Sequence, residues 1–300
     1  MYSKILIPLD GSKTAEAVLP YARYLAGKLK IPVHLLAVID VAEMALHSSS
    51  EKRWFIDRMV DDGRRSGETY LHRLAATFPG TAVHYTVEVG HAADVIIENG
   101  ASDAAMLIAM ATHGRSGLDR YLLGSVAEKV LRGSDNPLLL VRASVESPAD
   151  GVGFTTIVVP LDGSELAESI LPMVAGVAKK LDSEVMLFRA YHIPMGIYEG
   201  DAVMSGEAYT GMLNALREEA TGYLDSKAAE LKKLKVEKVS TLAQEGFAAD
   251  EIINLGNKKS AALIAMGSHG RSGVKRWLLG SVAETVVRHA PGAVLVARGL

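Results

Sequence analysis

The chain has 300 residues, is 49% hydrophobic, carries a formal net charge of −3 and contains no cysteine. That length accommodates two hydrophobic cores of about 150 residues each. The charge gives no electrostatic reason to expect nucleic acid, and the missing thiol removes disulfides, cysteine-ligated metals and thiol nucleophiles.

No apolar run approaches the roughly 20 residues that span a bilayer. The opening MYSKILIPLDGS enters a strand pattern at once, leaving no room for a signal peptide; the expected setting is the cytoplasm. Residues 4–9 (KILIPL) read as a buried first strand. Asp10-Gly11-Ser12 turns the chain, with Ser12 placed to cap a helix running to about Lys30. Ala17, Leu19, Ala22, Leu25 and Leu29 form that helix's apolar face, and Pro20 is its expected point of kinking. Residues 33–39 are the second strand, 40–50 a loop, and 51–77 a helical pattern with weak points at Gly63 and Gly67. A strand over 82–89, a short helix over 92–99, a strand over 104–110, a helix over 124–132 and a strand over 137–142 (PLLLVR) complete the first half. Five strands alternating with four helices predict an α/β fold with a doubly wound parallel sheet.

Residues 143–153 (ASVESPADGVG) read as a linker, after which the order restarts. Strand 156–161, the turn Asp162-Gly163-Ser164, a helix, strand 185–191, strand 236–242, helix 248–255, strand 261–266 and a last strand over 293–298 repeat the first half. Asp162 to Gly270 spans 108 positions against 104 from Asp10 to Gly114. The extra length is assigned to 192–211, expected as a longer, mobile loop. The expectation is two tandem domains, 1–147 and 148–300.

The most distinctive stretch occurs twice, as MATHGRSGLDRYLLGSVAEKVLR from Met110 and MGSHGRSGVKRWLLGSVAETVVR from Met266. From His113 and His269 onward, 15 of 20 positions are identical. A buried strand, a glycine-bearing loop and a helix start form an anion site, because amides point outward and the helix dipole favours negative charge. In an open α/β sheet this loop faces the end of the first strand where the strand order reverses, which brings Asp10 and Asp162 to the same crevices. Asp10 there either reaches ribose hydroxyls or a metal, or serves only its own turn. Ser125 and Ser281 either cap the helix, with Glu128 and Glu284 closing a capping box, or donate to phosphate while doing so. Arg115, Arg120, Arg271, Lys275 and Arg276 are phosphate contacts or solvated surface, and His113 and His269 have no metal-ligand spacing around them. No G-x-x-x-x-G-K-[ST] sequence supplies a lysine for phosphate transfer, and no nucleophile–base pair is legible, so no catalytic residue and no metal ligand is assigned.

At these residues the chain resembles the universal stress protein family in its tandem two-domain form. The family's nucleotide-binding branch carries G-x2-G-x9-G-[ST], matched in full by Gly267, Gly270 and Gly280-Ser281. The first half departs from it at Ala111, followed by Gly114 and Gly124-Ser125. P-x-D near each start, at Pro8/Asp10 and Pro160/Asp162, extends the resemblance. It implies a strand order 3-2-1-4-5 in each domain and an ATP-binding stress-response regulator or sensor, with AMP or ADP as alternative ligands and magnesium accompanying the nucleotide. Pro8, Asp10 and Val38 would surround adenine and ribose in the first domain, and Pro160, Asp162 and Ala190 in the second. Gly114, Arg115, Gly124, Ser125 and Val126 would hold phosphates, as would Gly267, Gly270, Arg271, Gly280, Ser281 and Val282. The resemblance also implies a terminal strand used for dimerisation, hence a pseudo-dimer of domains within the chain and a homodimer as a further step. A slow ATPase or phosphotransferase, and a pairing module without nucleotide, are the alternative readings.

Overall fold

The protein is described from a computed structural model covering residues 1–40, 53–112, 123–142, 152–193, 206–258, 262–268 and 279–297. The chain forms two compact units, the first comprising Met1–Gly153 and, from the far end of the chain, the strand Ala293–Ala297.

In the first unit β1 (Ile5–Pro8) is followed by α1 (Lys13–Glu16) and α2 (Leu19–Leu29). Ser12 accepts from the Ala15 amide and caps α1 as expected. The single helix expected here is broken in two, because Pro20 lacks an N–H and sits in the first turn of α2, where none is needed. Next come β2 (Val33–Ile39), α3 (Arg53–Ala75), β3 (Val83–Val89), α4 (Ala92–Ala101), β4 (Leu107–Ala111), α5 (Ser125–Gly133) and β5 (Leu138–Val141). All neighbouring pairs in the order β3-β2-β1-β4-β5 are parallel. Gly63 and Gly67, the weak points of the α3 pattern, lie where the helix meets the sheet. An added Cβ would stand 3.1 Å from Ile39 Cδ1 and 3.1 Å from Val87 Cγ2. The sheet is closed on its β5 side by β10 (Ala293–Ala297), antiparallel, with Leu295 opposite Leu139.

The second unit repeats the pattern with β6 (Thr156–Pro160), α6 (Glu165–Glu168), α7 (Leu171–Leu181), β7 (Glu184–Tyr191), α8 (Gly206–Lys233), β8 (Val239–Glu245), α9 (Ala248–Lys258), β9 (Ala262–Gly267) and α10 (Ser281–His289). Its parallel order β8-β7-β6-β9 fills the first four places of 3-2-1-4-5. β8 begins three residues later than the pattern at 236–242 indicates. Val236 instead closes the end of α8, donating to the Leu231 carbonyl five residues back (3.1 Å), with Lys235 left-handed at φ 63°. Most of the proposed mobile loop at 192–211 lies outside the described residues. Among the described residues no helix is long and apolar enough to cross a membrane.

One contact recurs in both units and ties the long helix to the first short one. Tyr70 donates to Glu16 (3.0 Å), and Tyr223 donates to Glu168 (2.8 Å). Burial, reinforced by the carboxylate, pushes both phenols well above their ordinary range.

His34 on β2 pairs with Thr86 (2.8 Å) and faces the His84 ring at 5.1 Å. Burial, then His84 and Lys4, hold its imidazole below the ordinary histidine range, against a smaller opposing pull from Glu88. The folded state therefore binds this proton less readily than the unfolded chain. Stability from this group is intact above the ordinary histidine range and is lost as pH falls through it toward the lowered value. Urea midpoints are expected to be lower at pH 5.5 than at pH 7.5, and His34→Gln to narrow that gap. An unchanged gap would show that His34 does not carry it.

Candidate functional site

Each unit opens a cavity at the carboxyl ends of its central strands, where β1 lies between β2 and β4, and β6 between β7 and β9. The first encloses about 250 Å³ and is lined by Pro8, Asp10, Val38, Gly124, Ser125 and Val126, with Ala15, Leu36, Ile96 and Met110 among its apolar walls. The second encloses about 300 Å³ and is lined by Pro160, Asp162, Ala190, Gly267, Gly280, Ser281 and Val282, with Phe188, Ile252 and Met266. Every candidate residue within the described parts of the chain reaches a cavity wall. Gly114, Arg115, Gly270 and Arg271 lie outside the described residues, as do His113, His269, Arg120, Lys275 and Arg276.

The turn bonds of the aspartates are made. Asp10 Oδ1 accepts from the Ser12 amide (2.9 Å), and Asp162 Oδ1 accepts from the Ser164 amide (3.0 Å) and hydroxyl (2.6 Å). These are the turn bonds of the structural reading. Both residues also line the cavities.

The helix starts differ from the capping box. The residue before each helix is glycine, Gly124 or Gly280, and it makes no side-chain cap bond. Ser125 and Ser281 are the first helical residues, one place too late to cap. Glu128 and Glu284 are correspondingly displaced, and each pairs instead with an arginine one turn on, Arg132 (3.1 Å) and Arg288 (2.8 Å). The negative charge of each glutamate is thus held by a cation instead of standing against an anion at the helix start.

The glycine amides have a different task. Gly124 donates to the Thr112 carbonyl (2.8 Å), and Gly280 to the Ser268 carbonyl (2.8 Å). Thr112 and Ser268 are buried at the strand ends, so one hydrogen bond pins the helix start to the point where the loop leaves the strand. The first intrahelical bonds run from Glu128 to Gly124 (2.8 Å) and from Glu284 to Gly280 (2.9 Å). The three amides ahead of each, at residues 125–127 and 281–283, belong to the first turn, whose donors have no intrahelical acceptor. All six of these residues line the cavities, where such donors favour an anion.

The glycine backbones are ordinary. Gly124 has φ −61° and ψ 146°, and Gly280 φ −62° and ψ 145°. Neither glycine uses the left-handed conformation; what the site takes from glycine is the missing side chain. Ala111 likewise is the last residue of β4 and causes no backbone strain relative to Gly267 at the end of β9.

Sequence reasoning missed the apolar side of each cavity, contributed by Ala92 and Ile96 of α4 and by Ala248 and Ile252 of α9. Their i, i+4 spacing marks a helix face, but nothing local says which strand ends that face looks across.

The profile of the universal stress protein family matches residues 1–142 and again 153–298. The chain belongs to the universal stress protein family. A universal stress protein of Methanocaldococcus jannaschii is 34% identical over 149 residues, covering 48% of this chain and 82% of that protein. One from Mycolicibacterium smegmatis is 23% identical over 297 residues, covering 98% of this chain and 96% of that protein. The crystal structure of a universal stress protein from Archaeoglobus fulgidus shares the fold across the full length of both chains, with a TM-score of 0.70 at 23% identity. In this universal stress protein the repeated family match coincides with the repeated cavity.

Proposed function

We propose that each half binds an adenine nucleotide, ATP above ADP or AMP, and that occupancy serves a regulator or sensor in a stress response. The observation that carries this reading is that an aspartate after the first strand and the free amides of a helix start line one cavity, and do so twice. The chemistry of the walls suits the ligand. Val38 and Leu36, or Ala190 and Phe188, offer apolar surface to a base, the aspartates accept from ribose hydroxyls, and the first-turn amides receive phosphate oxygens. The loop residues Gly114, Arg115, Gly270 and Arg271 would complete the phosphate end. Magnesium would neutralise part of the phosphate charge. The reading is of binding and not of rapid turnover, since among the described cavity residues there is no lysine, arginine or histidine to assist transfer. The terminal strand is already taken up by pairing within the chain, so a homodimer of whole chains, also part of this proposal, would use another surface.

Mass spectrometry of small molecules released from protein purified without added ligand is the direct test, with an adenine nucleotide expected. A ligand-free protein that also shows no calorimetric response to millimolar ATP would overturn the reading.

The second site is expected to bind ATP several-fold more tightly than the first. Between the second and third motif glycines the second half carries Arg271, Lys275 and Arg276, and the first Arg115, Asp119 and Arg120. Two additional unit charges near a polyanion, screened at the surface, contribute about 1 kcal/mol. Ala111 adds only the bulk of a methyl group, because its backbone is that of a strand. Titrating chains in which one site is blocked, at low and moderate salt, checks the ranking. Equal affinities at both salts would show that the loop charge does not set occupancy.

A further inference from the structure

The two cavities are alike at the helix start, but the residues just beyond the neighbouring strand ends differ. In the second unit the sheet runs β9-β6-β7-β8, and the helix start and glycine motif stand on the β9 side. A ligand with its phosphates there extends toward the carboxyl ends of β7 and β8. At that end Gly246 donates to the Tyr191 carbonyl (2.9 Å), which brings the residues following the two strands side by side. Among them His192, directly after β7, and Phe247, one residue past Gly246, have ring centroids 5.0 Å apart at 46°. His192 stands two residues beyond Ala190, continuing the alternation of the cavity face, and Phe247 immediately precedes Ala248 on the cavity wall. Phe247 is 62% exposed, so one face of its ring is open to a ligand.

The first unit has the same backbone clamp, Gly90 to the Ile39 carbonyl (3.1 Å), but different side chains. There the pair is Asp40 and His91, with Oδ2 and Nδ1 3.7 Å apart. Two sites of common descent within one chain therefore present an aromatic pair in one case and an acid–imidazole pair in the other.

We propose that Phe247, backed by His192, is a stacking platform that makes the second site selective for a large planar base, and that the first site lacks this selectivity. The inference rests on the nucleotide-binding reading above. It assigns to Phe247 a positioning role at the base end, separate from the phosphate end that the two sites share. A base stacked on an aromatic ring is favoured by dispersion and by expulsion of water from both faces, and truncating such a ring weakens binding by about 5- to 150-fold per base.

The test uses the full chain and reads each site separately, through ATP-dependent protection from hydrogen exchange in peptides covering 92–101 and 248–258. Phe247→Ala is expected to raise the ATP concentration for half-protection of 248–258 by about 5- to 150-fold, with 92–101 unchanged and Phe247→Trp restoring the affinity. Inorganic triphosphate, which has no base, is expected to protect 248–258 equally in wild type and Phe247→Ala. Equal ATP midpoints in wild type and Phe247→Ala would overturn the platform while leaving nucleotide binding intact. An equal loss for triphosphate would overturn it as well, by showing a general disturbance of the site. No protection by ATP in the wild-type chain would remove the nucleotide reading, and the platform with it.

Discussion

Removing residues 293–300 is expected to cost the first unit most or all of its folding free energy. The strand Ala293–Ala297 lies antiparallel against Leu138–Val141, with Val294, Leu295 and Val296 between 0 and 3% exposed. Burial of three such side chains is worth about 1.5–3 kcal/mol each. Their joint contribution is thus comparable with the roughly 5–15 kcal/mol that stabilises a domain. The deletion also uncovers Leu138, Leu139, Leu140 and Val141, all at 0–1% exposure, as an apolar edge strand open to association with other chains. The truncated chain is expected to scatter light at concentrations where the full chain does not, and to melt at lower temperature. Leu295→Ala, which keeps the backbone ladder, is expected to lose about 2–5 kcal/mol in urea unfolding. A truncated chain that stays monomeric with an unchanged melting midpoint would show that the strand is dispensable to the first unit.

Gly280→Val is expected to abolish nucleotide binding at the second site while leaving the chain folded. The backbone at Gly280 is extended, with φ −62° and ψ 145°, a region that valine adopts readily. Its amide still reaches the Ser268 carbonyl, so the pin between loop and helix survives. The change places an isopropyl group at the cavity wall beside the first-turn amides, where the phosphate must come close. Losing even two hydrogen bonds to a charged phosphate, at about 1.5–3 kcal/mol each, exceeds a hundredfold in affinity. The helix itself should lose no more than about 1 kcal/mol, since valine is a poorer cap than glycine. Calorimetric titration with ATP, with circular dichroism and a thermal melt as the folding control, decides the matter. Wild-type affinity in a folded Gly280→Val chain would remove the phosphate-loop reading.

Much of this architecture is written locally. Ser12 caps its helix because a serine side chain can bond an amide three residues on, and Pro20 breaks the helix because it carries no N–H. The duplicated loop, the aspartates after each first strand and the alternation of short apolar runs with helical patterns led to the repeated parallel sheet. They also led to Asp10, Asp162 and the helix starts at Gly124-Ser125 and Gly280-Ser281, which line the two cavities, while Pro8, Val38, Val126, Pro160, Ala190 and Val282 came only with the family resemblance. These features are legible because they depend on groups a few positions apart in the chain.

What the local pattern misplaced were choices between neighbouring registers. S-V-A-E fits a capping box, yet the chain starts each helix one residue earlier, at the serine itself. The glycine amide is drawn to the strand-end carbonyl of Thr112 or Ser268, and the glutamate is drawn to an arginine one turn away. Val236 fits a strand, yet it is spent on closing α8.

The sequence by itself determined the repeat, the order of elements and the residue types gathered at the glycine loop. The pairing of the last strand with Leu138–Val141 follows the expected pseudo-dimer of domains, whereas only the tertiary structure decided that α4 and α9 supply apolar cavity walls and that an acid–imidazole pair and an aromatic pair form just beyond the neighbouring strand ends. The reason is physical. Asp40 and His91, or His192 and Phe247, are more than fifty positions apart in the chain. They meet because parallel strands align their carboxyl ends, and which strands align is settled by burial of the whole sheet, a quantity no short stretch of chain contains.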